Sequence, residues 1–245
     1  MTPNFFRFRQ HQKRFWITLC TLALLLSTTP IAVAGYRPPP RPSAPGRGTT
    51  TPTGVRGGCG GEAKVPLTAL APVKHVGQTT SSHPTVAWFV PDQKSYSIEL
   101  TLFEATEKGR GKILYTTKLP SKAGIMTFSL PSDQPGLIVG KQYLWQVAMV
   151  CNPNRPSQDK WVETAMEVMP VPPDLKTKLA STTNPLQRSQ LYGAAGFWYD
   201  ALAEALKAPA ANALRLDLLK SLSQLEVAEQ QTRLATIAAL LEQRP

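Results

Sequence analysis
The sequence predicts an antiparallel β-sandwich followed by a C-terminal helical bundle, a mainly β fold with α. Three observations lead there. Between Lys64 and Met169 short apolar runs recur with turn residues between them, and strands at regular spacing with turn signals are the pattern of a sandwich. Two runs, TVAWFV at 85–90 and QYLWQVAMVC at 142–151, are apolar nearly throughout and read as buried strands. Beyond Pro170-Val171-Pro172-Pro173 the apolar period changes from two to between three and four. At 245 residues and 42% hydrophobic, the chain has enough for one or two domains and a packed core.

Residues 1–34 have the three parts of an export signal. Arg7, Arg9, Lys13 and Arg14 form a basic start. Phe15 to Leu26 is the apolar run, Pro30 breaks it, and Ala32-Val33-Ala34 supplies the small residues of a cleavage site. Cleavage after Ala34 is expected. The rival is an uncleaved anchor, but the run is short of the roughly 20 residues that span a bilayer. Leu19 before Cys20 is not the small residue of a lipid-attachment site. No later segment is apolar enough to span a membrane.

Residues 35–58, GYRPPPRPSAPGRGTTTPTGVRGG, have almost nothing to bury and read as a disordered Pro/Gly/Arg-rich leader. Polyproline II character is expected near Pro38 to Pro40. Such a leader is either a solvated spacer or an electrostatic contact, through Arg37, Arg41, Arg47 and Arg56, with anionic envelope polymers. Residues 1–58 hold eight of the 27 Lys and Arg and none of the 16 Asp and Glu. The net charge of +11 therefore sits mostly on the signal and leader, where a nucleic-acid domain would carry it on a folded face. Nucleic acid is not an expected partner.

After cleavage two cysteines remain, Cys59 and Cys151. An exported protein meets an oxidising compartment, so a Cys59–Cys151 disulfide is expected. No CxxC or neighbouring histidine makes these a zinc site.

The sandwich is placed at 59–171. Its expected strands are Lys64–Leu70, Thr85–Val90, Tyr96–Phe103, Lys112–Thr117, Gly124–Leu130, Gln142–Cys151 and Trp161–Met169, with a polar turn at Glu107–Gly111. Tyr96–Phe103 alternates, Ile98, Leu100 and Leu102 on one face and Glu99 and Thr101 on the other. Leu137, Gly140-Lys141, Tyr143 and Trp145 resemble the approach to strand F of fibronectin type III and other immunoglobulin-like domains, where a tyrosine corner bonds backbone. Tyr143 is the candidate for that corner. Pro84 and Trp88 resemble the Pro…Trp pairing of an early strand, with the indole in the core.

The loop after Cys151, Asn152–Lys160, is the one candidate binding loop. It carries Asn154, Arg155, Ser157 and Asp159 at a rim where loops collect function. Arg155 suits a carboxylate; a Pro-stiffened hairpin turn is the plainer reading.

Residues 172–245 are expected to be helical and packed on the sandwich. Asp174–Ala180 is a short helix. Asn184-Pro185 starts the next, with Asn as cap, and it runs to about Ala208 with Leu191, Ala195, Trp198, Leu202 and Leu206 on one face. Gly193 and Gly196 suggest close approach of another backbone. Two more helices follow, about Ala211–Leu225 and Val227–Gln243. Asp200 and Glu204, one turn apart, are paired carboxylates with no histidine beside them in sequence, more a solvated face than an acid–base pair.

Three passages carry a family resemblance: LTALAP at 67–72 with TTSSHPTVAWFVP at 79–91, GKQYLWQVAMVCNPNRPSQDKWVE at 140–163, and LYGAAGFWYDALAEAL at 191–206. With the signal and leader they resemble the cyanobacterial family known as domain of unknown function 928, over roughly Cys59 to Leu225. The resemblance implies an exported protein of a photosynthetic bacterium and no particular activity. The Gln- and Ala-rich residues after Leu225 depart from it, which questions the last helix as part of the common core.

The mature chain has two histidines, His75 and His83, and no GxSxG, HExxH, P-loop or dinucleotide fingerprint. No catalytic residue, cofactor or metal ligand is assigned. The expected protein is exported, to the periplasm or beyond the cell, and is a non-catalytic binding or adaptor module. Its expected partner is an envelope protein or polysaccharide. The alternatives are a structural envelope component holding anionic wall polymer through its leader, and a hydrolase with an unrecognised site. Trp161 and Tyr199 are the aromatics for a sugar if they are exposed.

Overall fold
The computed structural model describes residues 35–40, 59, 63–208 and 212–243. The expected signal at 1–34 and the leader beyond Pro40 lie outside the described residues. Ala34–Pro245 form one compact unit.

Its strands are β1 (Thr68–Ala69), β2 (Gly77–Thr79), β3 (Thr85–Val90), β4 (Ser97–Thr106), β5 (Gly109–Pro120), β6 (Gly124–Ser129), β7 (Gln142–Val150) and β8 (Lys160–Val168). They form a three-stranded sheet, β1-β3-β6, and a five-stranded sheet, β2-β8-β7-β4-β5. Alternation along β4 sets the register. Ile98, Leu100 and Leu102 stand opposite Met149, Val147 and Trp145 of β7, all buried. Val86 and Phe128 from the small sheet meet Leu100, Trp145 and Met166 from the large one around a common apolar space. Both sheets thus share one core.

Two strands differ from expectation. Of Lys64–Leu70 only Thr68–Ala69 pairs, with Phe89 and Trp88. Pro66 lacks an N–H for a ladder, and the Thr68 hydroxyl turns back to donate to the Pro66 carbonyl. β2 was not foreseen, because Gly-Gln-Thr has no apolar alternation. It runs parallel to β8, so the large sheet is mixed rather than wholly antiparallel. The turn after β4 is also tighter than expected: β5 begins at Gly109, and bulges at Phe103 absorb the irregularity.

Tyr143 is buried, and its hydroxyl accepts the Ile138 N–H at 2.8 Å. Trp88 is fully buried, and its indole N–H has no partner among the described residues.

Five helices follow: α1 (Pro173–Ala180), α2 (Pro185–Ala194), α3 (Trp198–Lys207), α4 (Asn212–Ser223) and α5 (Ala228–Glu242). Asn184 caps α2, its Oδ1 accepting from the Leu186 and Gln187 N–H groups. The single helix expected to Ala208 is broken between Ala194 and Trp198. Gly196 has φ +90°, a left-handed conformation that ends α2 and swings α3 away. α3 then drives aromatic side chains into the core. The Trp198 indole donates to the Leu70 carbonyl at 2.9 Å. The Tyr199 hydroxyl accepts from the Trp145 indole and donates to the Ala165 carbonyl. α5 belongs to the same core: Leu234 and Ile237 are fully buried, and the Gln230 amide donates to the Ala69 carbonyl.

The leader needs a correction at its start. Gly35–Pro40 is not a solvated spacer, for Tyr36 is only 4% exposed. Its ring lies edge-on to Trp198 at 5.0 Å and stacks on His75. The Arg37 N–H donates to the Gly193 carbonyl. One aromatic ring offered to a preformed aromatic niche outweighs a polar composition.

Candidate functional site
Asn152–Lys160 keeps its polar groups for itself. The Asn152 side chain accepts the Asn154 N–H, the turn of an Asx motif. Arg155 precedes a short 3₁₀ turn, Pro156–Gln158, which also holds Ser157. Asp159 accepts the Cys151 N–H at 3.0 Å, tying the loop back to the end of β7. Arg155 and Ser157 lie on the exposed rim, and the loop's hydrogen bonds run to its own backbone and to β7. Behind it Cys151 is bonded to Cys59, with Cα atoms 5.1 Å apart.

A polar cleft of about 320 Å³ lies between the β2–β3 loop and α3. The period of α3 points Asp200 and Glu204 into it, and the β2–β3 loop brings Thr80 and His83 to the other wall. Sequence spacing paired the two carboxylates but missed Thr80 and Arg188, which reach them from other segments. Thr80 occupies both oxygens of Asp200: its N–H donates to Oδ2 and its hydroxyl to Oδ1, each at 2.9 Å. Burial pushes the Asp200 carboxyl above the usual carboxylate range, against the pull of these bonds. Glu204 Oε1 receives Arg188 at 3.2 Å and Lys207 at 3.1 Å. His83 is held at both ring nitrogens, by the Ser82 hydroxyl and the Gln134 carbonyl. Asp200 therefore ties α3 to the β2–β3 loop and Glu204 ties α3 to α2 through Arg188, so neither is part of a solvated face. Tyr199 at the base of the cleft is 1% exposed, which rules it out as a sugar platform.

The third surface follows β5. This strand ends the large sheet, so among the described residues one of its edges pairs with nothing. β5 carries Arg110, Lys112 and Lys118 and no acidic residue. Arg110 is fixed by Glu163 at 2.6 Å and lies over the Phe103 and Trp161 rings. Trp161 is half-buried beneath it. Burial raises the Glu163 carboxyl while Arg110 opposes the shift. Beside the strand runs a groove of about 280 Å³, floored by Leu102, Tyr115, Leu130 and Tyr143. Ile113 and Ile138 on its walls are 56% and 57% exposed, and Val139 beyond is 54% exposed. The sequence signal for it is the strand expected at Lys112–Thr117, KILYTT, and nothing in that run marks the strand as an edge.

Among the described residues no group of three His, Cys, Asp or Glu side chains is placed to hold a metal ion. Nor is any described helix long and apolar enough to cross a membrane. A family model described as Domain of Unknown Function (DUF928) matches residues 51–238. The match passes Leu225 and runs into α5, so the last helix is common to the family after all. No curated protein matches the chain.

Proposed function
We propose that this chain, which belongs to the DUF928 family, is an exported, non-catalytic binding module of the cell envelope that receives its partner along β5. The observation that carries the reading is the combination at that edge: backbone unpaired among the described residues, exposed isoleucines, and a strand whose charges are all basic, with Arg110 and Lys118 paired to Glu163 and Glu99 on other strands of the sheet. An unpaired edge is a template for strand addition, with main-chain bonds giving affinity and side-chain grooves giving selectivity. The partner that suits it is an extended segment of an envelope protein bearing acidic residues. A second copy pairing antiparallel about Tyr115 would set Lys112 against Lys118, a like-charge opposition that disfavours self-association.

Further support comes from the fold. We read the two sheets as an immunoglobulin-like sandwich, with β1, β3 and β6 in the places of strands A, B and E. In this reading β4, β5, β7 and β8 take the places of C, C′, F and G. The Tyr143 bond then falls at the corner before F, and β5 is the C′ edge. Export is supported by the Cys59–Cys151 bond, which belongs to oxidising compartments, and by the signal-like start of the sequence. The non-catalytic reading is supported by the cleft, where Asp200, Glu204 and His83 each already have partners within the chain.

Site-specific photocrosslinking in intact cells tests this. A photoreactive residue at Ile113 is expected to give one discrete adduct that Lys112→Glu with Lys118→Glu reduces severalfold. The same residue at exposed Lys176 on α1 is the control. Equal, diffuse labelling from both positions would sink the proposal.

A further inference from the structure
The groove beside β5 lies at the irregular end of that strand. At the Phe103 bulge the register with β4 passes from Tyr115 to Ile113, so Leu114 stands opposite no residue of β4. A bulge bends its strand and interrupts the ladder. The regular stretch for main-chain pairing is therefore residues 115–120, and the groove end is left to side chains. The mouth of the groove is apolar. Five large apolar side chains are exposed among the described residues; Ile113 and Ile138 of these line the groove, and Val139 follows in the chain. Scattered singly, such residues need no explanation, but gathered at one opening they mark a contact.

Below the mouth, Leu102, Tyr115 and Leu130 belong both to the groove and to the apolar space between the sheets. An apolar occupant seated on them extends the sandwich core outward. The groove's volume of about 280 Å³ is below the range that takes a drug-sized ligand, and suits one large side chain. Two of its lining residues, Tyr115 and Tyr143, are aromatic. Tyr115 already stacks on Phe128 with centroids 5.7 Å apart, so a further ring meets an aromatic wall. Glu104 and Lys112 set one charge of each sign at the groove, so neither an anionic nor a cationic occupant is preferred to a neutral one.

We infer that the β5 groove seats one neutral aromatic side chain, Phe or Trp in character, carried by the partner's extended segment. The inference rests on the edge reading above and adds to it the residue that fixes the partner's register. Main-chain bonds to residues 115–120 accept many strands, whereas a ring on Leu102, Tyr115, Leu130 and Tyr143 admits one position of one segment.

Two measurements test this and separate the groove from the edge. The first titrates indole, a free aromatic side chain, into the purified protein while the Ile and Leu methyl signals are followed by nuclear magnetic resonance. Saturable shifts centred on Leu102, Ile113, Leu130 and Ile138 are expected. Hexanoate, an anionic apolar chain, should bind about fivefold more weakly or less. Ile138→Asp, at an exposed wall position, should weaken indole about fivefold or more. No saturable shift, or hexanoate binding as well as indole, overturns the inference. The second measurement places a photoreactive residue at Thr116, exposed on β5 and outside the groove lining, in intact cells. A discrete adduct that Ile138→Asp reduces severalfold is expected. An adduct unchanged by Ile138→Asp overturns the aromatic anchor and leaves the edge reading standing. No adduct from Thr116, with indole still seated in the groove, removes the edge reading itself, and the inference falls with it.

Discussion
His75 is neutral where it sits. Burial first, and the Lys74 ammonium second, pull its pKa below the ordinary value of 6.5. Tyr36 from the leader meets its Nε2; Tyr199 from α3 and Glu226 just after α4 act in turn on Tyr36, and the Glu226 carboxylate takes the Val73 and Lys74 N–H groups. Burial raises both phenols, so near neutral pH the Tyr36–His75 contact joins two uncharged groups. The unfolded chain binds the histidine proton first as pH falls. Stability from His75 is therefore present above about 6.5 and lost as pH drops toward the folded pKa. The raised carboxyls of Glu163, Asp200 and Glu226 act in the opposite sense, since the folded state holds their protons to higher pH. A comparison of variants separates the two. Between pH 7.5 and 5.5 the urea midpoint of the unsubstituted chain should fall more steeply than that of His75→Gln. Parallel slopes would remove His75 as the cause. At this scale Tyr143 and the cysteine pair were legible, because a local turn and a compartment argument define them. Tyr36 was not, because its niche is assembled from residues far along the chain.

The break between α2 and α3 puts two glycines into opposite roles. Gly196 is left-handed, and a methyl there would press Pro39 and the Arg37 carbonyl at 3.1–3.3 Å. Gly196→Ala should cost about 1–2 kcal/mol, combining the left-handed penalty with that crowding. Gly193 is helical, and its added methyl would meet Leu218 at an ordinary 3.5 Å. Gly193→Ala should therefore be neutral or gain up to about 1 kcal/mol from helix propensity. Urea titration of both variants checks the signs, and two losses of equal size would refute the distinction. The helices were legible from apolar spacing and from Asn184-Pro185. The break was not, because Leu191, Trp198 and Leu202 continue one apolar stripe across it. Buried strands announced themselves in β3 and β7. β2 did not, since its place depends on pairing with a strand far ahead in the chain rather than on its own residues.

Two fastenings hold the whole molecule's N-terminal segment: the docked Tyr36 and the Cys59–Cys151 bond. The cysteines are 92 positions apart, and the chain-entropy account gives such a closure about 4–5 kcal/mol at most. Reduction, or Cys59→Ser with Cys151→Ser, should lower the thermal midpoint by up to about 8–20 °C, at about 2–4 °C per kcal/mol for a chain of this size. An unchanged midpoint in reductant would show that the unfolded chain gains little freedom. The candidate surfaces were less legible than the fold, because an edge strand and a groove are properties of assembled sheets. The Asn152–Lys160 loop and the carboxylates of the cleft stood out in sequence, but the loop spends its bonds on itself and on β7, and the carboxylates' role required Thr80 and Arg188 from elsewhere. The bond between the cysteines also decides what a cut in the chain can do: a single backbone break between Cys59 and Cys151 leaves the two pieces joined until reductant separates them.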